Sequence, residues 1–243
     1  MKLLLRCAMA LIAIGACVTL ISNPHRIQAQ SCCAAQGCSG PPPPCSSPVC
    51  LKGSGCYYNW GCYSPIVIDV KGDGFHLTDQ ADGVLFNFSG DPNAQKKKVA
   101  WTDPKFGNAW LALDRNGNGT IDNASELFGN FAPQPASGHP NGFLALAVYD
   151  LPENGGNGDG QITTADQIYS QLRLWTDLNQ NGISEPDELQ TLDQAGVKSI
   201  ALNYSEGHRV DQFGNHFQYR SHVRMNTPDF DHEIYDVYLI GAN

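Results

Sequence analysis

Residues Asp177 to Glu188 read DLNQNGISEPDE, and few other stretches constrain a chain so tightly. Counted from Asp177, oxygen-bearing side chains fall at places 1, 3 and 5 (Asp177, Asn179, Asn181). Gly182 stands at 6, where the backbone must turn sharply. Ile183 at 7 offers a carbonyl, Glu185 stands at 9, and Glu188 closes the stretch at 12 with a carboxylate able to bind through both oxygens. This spacing wraps six or more oxygens around one point, which is what a hard cation such as calcium requires. A polar turn also favours Asp, Asn and Gly, but it needs no acid at the twelfth place.

The pattern is that of an EF-hand calcium loop, and it recurs. Asp114 to Glu126 reads DRNGNGTIDNASE, with Asp114, Asn116 and Asn118 at 1, 3 and 5, Thr120 at 7 and Asp122 at 9. Its closing acid, Glu126, comes one place late. A third loop centres on Asn157, Asp159 and Gln161, with Asp166 at place 12. Its first place falls on Gly155, so Asp150 supplies the missing oxygen if Leu151 to Gly156 bulges out. A fourth stretch, Asp69 to Gly74, puts Lys71 where an oxygen is wanted and reads better as a hairpin-type turn. Asn87 to Asp91 is a decayed version beside Lys96, Lys97 and Lys98.

The 243 residues carry a formal charge of −9, which argues against nucleic acid as a partner. Three of the 15 basic residues and none of the acids lie in the first 29. Lys2 and Arg6 precede an apolar run, Cys7 to Ile21, too short to span a bilayer comfortably. That start predicts a secretory signal over residues 1–29, with cleavage after Ala29. A lipid-modified Cys17 is the competing reading, because Ile14 to Cys17 resembles a lipobox. Seven cysteines, Cys32, Cys33, Cys38, Cys45, Cys50, Cys56 and Cys62, crowd a Pro- and Gly-rich segment, 30–63. In an exported chain such clustering predicts a disulfide-stapled module or stalk of undetermined connectivity.

Residues 64–243 form the predicted domain. Ile66, Ile68 and Val70 alternate as a strand, as do Val84, Phe86 and Phe88, with Lys98 to Trp101 as a partner. Ile200 to Tyr204, Phe217 to Met225 and Ile234 to Ile240 predict a closing β meander within 197–243. Short helices are predicted at Asn123–Phe128 and Gly142–Tyr149. The best helical pattern is Thr164–Trp175, where Ile168, Leu172 and Trp175 share a face. Another is predicted from Pro186 to about Ala195. Gly160 and Gly182 lie 22 residues apart, so one helix would leave one loop and enter the next. The expected fold class is therefore α+β, with short strands around a compact loop–helix–loop–helix unit similar to dockerin modules.

Leu113 to Gly129, Asn157 to Ile162 and Leu172 to Leu189 occur in an order that resembles a bacterial family of exported EF-hand-type calcium-binding domains. Their pattern is LDxNGNGxIDNxxELFG, NGDGxI and LRLWxDxNxNGxSExxEL. Such domains occur alone and in large RTX-like or repeat secreted proteins. The resemblance covers about 65–204 and implies calcium binding without any particular reaction. No GxSxG, phosphate-binding glycine loop or HExxH is present. The expected function is an exported domain stabilised by calcium ions. A dockerin-like module that docks an extracellular protein, and less favourably a calcium-supported hydrolase, are the alternatives.

Overall fold

The computed structural model describes residues 63–89, 91, 93–226 and 231–241, and the backbone alone of 46–51 and 55–60. The predicted signal, the Cys17 lipid site and the cysteine side chains all lie outside the described residues. The chain divides into two compact units, Met1–Gly61 and Cys62–Asn243. In the first, β1 (Ser46–Leu51) and β2 (Gly55–Trp60) pair antiparallel.

The second unit is mostly β. Its main sheet is built from β3 (Ile66–Asp69), β6 (Asn108–Ala112), β7 (Gln161–Ile162), β8 (Arg173–Trp175), β9 (Leu189–Thr191), β10 (Val197–Ala201), β11 (Ser205–Val210), β12 (His216–Met225) and β13 (Asp231–Tyr238). Hydrogen bonding runs in the order β7-β10-β12-β13-β3-β6-β8-β9, with β11 added on β12, and every pairing is antiparallel. The sheet curls into a half-barrel. A separate two-stranded sheet joins β4 (Val84–Phe86) to β5 (Lys97–Val99).

Composition explains the strands that run through the middle. Ile66, Val67 and Ile68 are each fully buried, as are all five residues of β6. Continuous β-branched and aromatic runs suit strands covered on both faces. Under the curl lies an aromatic core. Trp101 sits 5.0 Å from Trp110, 5.3 Å from Trp175 and 5.3 Å from Phe86, ring centre to ring centre. None of these four side chains touches solvent. Burying that much aromatic surface contributes strongly to the stability of this domain.

The expected loop–helix–loop–helix unit is absent, and the α+β assignment is corrected to mostly β. The one α-helix among the described residues is α1 (Gly142–Ala147), capped by the Asn141 side chain, which accepts from Leu144 N. Thr164–Trp175 instead forms a 3-10 turn at Gln167–Ser170 followed by β8. Leu172, Leu174 and Trp175 are all fully buried, which one helical stripe cannot achieve but a strand flanked by β6 and β9 can. An isolated helix of this length is marginal in water, so sheet pairing wins. Pro186–Glu188 makes a single 3-10 turn and the chain then enters β9 rather than continuing as a helix. Asn123–Phe128 is a turn whose end bridges back to β6 through Ala112 and Leu127.

Candidate functional site: three oxygen-rich loops

Each predicted loop is organised by its leading aspartate. Asp114 Oδ1 accepts from Gly117 N at 2.8 Å and Asn118 N at 3.2 Å, and its Oδ2 accepts from Gly119 N at 2.8 Å. Asp177 accepts from Asn181 N at 3.0 Å and Gly182 N at 2.9 Å. Asp150 accepts from Gly158 N at 3.0 Å and Gly160 N at 2.9 Å. Asp150 thus takes the leading place of the third loop, while Leu151 to Gly156 bulges out around the 3-10 turn Pro152–Asn154. The tight turns need left-handed backbone: Gly119, Gly160 and Gly182 have φ of 86°, 82° and 70°.

Two of the closing acids bind the same two places of their loops. Glu188 accepts from Leu178 N at 2.7 Å and Glu185 N at 3.4 Å, residues 2 and 9 of its loop. Glu126 accepts from Arg115 N at 3.1 Å and Asp122 N at 2.9 Å, the same two places. The extra residue before Glu126 is therefore absorbed between place 9 and the closing acid. Asp166 accepts from Asn157 N at 3.1 Å and Thr163 N at 2.7 Å.

The middle residues knit each loop together. Asn116 and Asn118 accept from Asn118 N and Thr120 N, each at 2.9 Å. Asn118 Nδ2 donates to Asp122 at 2.7 Å. Asn179 and Asn181 accept from Asn181 N at 3.1 Å and Ile183 N at 2.7 Å, and Asn181 Nδ2 donates to Glu185 at 2.8 Å. Asn157 and Asp159 accept from Asp159 N at 3.1 Å and Gln161 N at 2.9 Å. The Asp69 stretch shares the lead, accepting from Gly72 N at 2.8 Å and Gly74 N at 2.7 Å. Its place 3 is Lys71, and its Asp73 carboxylate is spent on Gly107 N at 3.1 Å. This fourth loop is a structural latch.

Electrostatics single out the Asp177 loop. Asp177 is fully buried and Glu188 is 3% exposed. Burial pushes both carboxyls above their ordinary pKa, and for Glu188 the neighbouring Glu185 carboxyl adds to the effect. Glu185 itself is held low, chiefly by the Asn181 amide. One Glu185 oxygen, Oε2, is shut off from solvent and has no hydrogen-bond partner. In the Asp114 loop burial likewise raises Glu126. Burial alone would raise Asp122 too, but bonds from Asn118, Asn123 and Asn116 outweigh it and hold that acid low. Two ion pairs occur among the described residues, Arg220–Glu233 and Arg224–Asp231, and neither involves a loop.

The core reaches directly into this loop. Trp175 Nε1 donates to Glu188 at 3.2 Å. Trp101 lies close enough to Asp177 to favour its charged form, without an ordinary hydrogen bond. Sequence reasoning assigned Trp175 to a helix face and overlooked both indoles. It also missed Ser184, whose hydroxyl joins two loops.

The loops that the sequence assigns to calcium are not clusters of acids. Among the described residues no group of three or more His, Cys, Asp or Glu side chains is placed to hold a metal. The carboxylates are instead interleaved with asparagines and tied to backbone N–H groups. No cysteine side chain, and so no disulfide, falls among the described residues.

The chain matches the SPM domain family over residues 66–240 and belongs to that family. This overturns the expected membership of an EF-hand-type domain family, in agreement with the missing helices. The chain is also 37% identical over 158 residues to the iron-regulated protein FrpA of Neisseria meningitidis serogroup C. That match covers 64% of this chain and only 13% of the length of FrpA. No helix among the described residues is long and apolar enough to cross a membrane.

Proposed function

We propose that the loops led by Asp114, Asp150 and Asp177 bind calcium, and that the ions brace a structural or interaction domain outside the cytoplasm. The observation that carries this reading is the Asp177 loop. Two buried carboxylates and a sealed Glu185 oxygen without a hydrogen-bond partner lie there, and neither ion pair among the described residues reaches them. Buried charge without a counter-charge is costly, and a divalent cation supplies that charge. Calcium accepts amide and carbonyl oxygens as readily as carboxylates, so interleaved asparagines suit it where a three-acid cluster is lacking.

The residues that would hold the ions are Asp177, Asn179, Asn181, Ile183, Glu185 and Glu188 in the strongest loop. Asp114, Asn116, Asn118, Thr120, Asp122 and Glu126 serve the second. Asp150, Asn157, Asp159, Gln161 and Asp166 serve the third. The few carboxylates per loop suit affinities on the order of 10⁻⁴ to 10⁻³ M, typical of extracellular modules. Export rests on the basic and apolar start, Lys2 to Ile21.

Terbium, a calcium mimic that luminesces when excited through a nearby indole, tests the reading. Added to the full chain, it gives tryptophan-sensitised emission that calcium displaces; Glu188→Gln lowers that signal, and Trp175→Phe removes the share that this indole excites. Absence of sensitised emission from the parent chain would sink the proposal.

A further inference from the structure

Ser184 and Ile121 stand 63 residues apart in sequence yet meet in the core. Ser184 Oγ accepts from Ile121 N at 2.6 Å and donates to Ile121 O at 3.4 Å. The two residues are 2% and 1% exposed. Counted from Asp177, Ser184 is the eighth residue of its loop. Counted from Asp114, Ile121 is the eighth residue of its own. The third loop differs: its eighth residue, Ile162, lies in β7 and pairs with Ile200 of β10.

We propose that Ser184 is a positioning residue that couples the Asp114 and Asp177 loops, so that a divalent cation held by one strengthens binding at the other. The inference rests on the calcium reading above and deepens it. The residues on either side of the contact are Thr120 and Asp122 in one loop and Ile183 and Glu185 in the other. They are the seventh and ninth places, both assigned to the ion. Drawing these two places inward in one loop moves its eighth residue. Because the Ser184–Ile121 link is buried and short, that movement reaches the partner loop without passing through solvent-exposed chain. An ordered first loop therefore leaves the second with less conformational freedom to lose, which is positive coupling.

A second route exists and is distinguishable. Gly182 lies against Val84 and the Leu85 carbonyl, while Ala124 N donates to Asn87 O at 2.8 Å. The segment around β4 thus touches both loops as well. If it carried the coupling, the Ser184 hydroxyl would be dispensable.

The test is a double-mutant cycle on the full chain, titrated with terbium. The part of the sensitised emission that depends on Trp175 reports the Asp177 loop, since that indole bonds to Glu188. Asp122→Asn cripples the Asp114 loop. In the parent background it should weaken terbium binding at the Asp177 loop about fivefold or more, the lower end of ordinary coupling. In a Ser184→Ala background the same substitution should change affinity by less than about twofold, within the usual scatter of uncoupled sites. Equal losses in both backgrounds would assign the coupling to the β4 route and overturn the proposal. No loss in either would show independent loops and overturn it too. If the parent chain binds no terbium, the calcium reading falls and the coupling falls with it. Should Ser184→Ala unfold, Ser184→Cys keeps the volume with only a weak donor and acceptor, and the same comparison applies.

Discussion

Asp236 is the residue whose chemistry departs furthest from its surroundings. Its carboxyl is fully buried, accepts from Gly142 N at the start of α1, and leaves Oδ1 without a partner. Burial lifts its pKa from 3.8 to about 6, against the opposing pull of the Gly142 N–H and Ser64. Tyr219 and Tyr238 lie beside it and are pushed upward themselves, Tyr219 to about 12. A folded pKa above the unfolded one means the native state binds the proton more tightly. The associated stabilisation is therefore fully present below about pH 4, is lost as pH rises through about 6, and stays lost above that. Its size is about 3 kcal/mol, from roughly two units at 1.36 kcal/mol each. Urea unfolding in chelator should show stability falling over that window, and Asp236→Asn should flatten the fall. An unchanged slope in the variant would remove Asp236 as its source. Neither burial nor the orphan oxygen is visible in the sequence, where Asp236 is one polar residue in an alternating strand.

At the scale of elements, close backbone approaches decide more than propensity. Gly129 bridges to Pro65, and a β-carbon there would sit 1.3 Å from the Ser64 carbonyl oxygen. Gly129→Ala should therefore cost about 2 kcal/mol or more, the range reached when backbone must move. A chemical melt of the variant in the parent buffer measures this, and a loss below about 0.5 kcal/mol would show that the bridge yields. The same scale accounts for the helices that did not form. Ile168, Leu172 and Trp175 fit a helical period, but Trp110 pairs with Trp175 and Leu111 with Leu174 across β6 and β8. That register buries both faces of β8, a reward no single amphipathic stripe offers. Short apolar runs are ambiguous between helix and strand for this reason. By contrast the helix expected at Gly142–Tyr149 did form, as α1 followed by a 3-10 turn at Val148–Asp150, and the Asn141 side chain caps it.

For the whole molecule, the question is how much stability depends on cation. An ion that binds only the folded chain adds about 1.4 kcal/mol at the roughly tenfold excess that millimolar calcium gives over a Kd of about 10⁻⁴ M. For a domain of this size each occupied site then raises the melting temperature by about 3–6 °C between chelator and millimolar calcium. Scanning calorimetry of the full chain should show the shift. Asp177→Ala with Glu188→Ala should abolish most of it. Identical parent melts in chelator and calcium would mean that the loops are held by their own hydrogen bonds alone.

The spacing of Asp, Asn, Gly and Glu determined the loops by itself. A leading carboxylate, a glycine five places on and a closing acid are local requirements, and Asp114, Asp177, Glu126 and Glu188 occupy equivalent places in their loops. Even the bulge that brings Asp150 into line followed from counting. What flanks those loops was decided only by tertiary structure, because strand pairing among β6, β8 and β9 joins residues distant in sequence. The same holds for the Ser184–Ile121 link and for the indole beneath Glu188. Each depends on which segments the curled sheet brings together, and no local period encodes that.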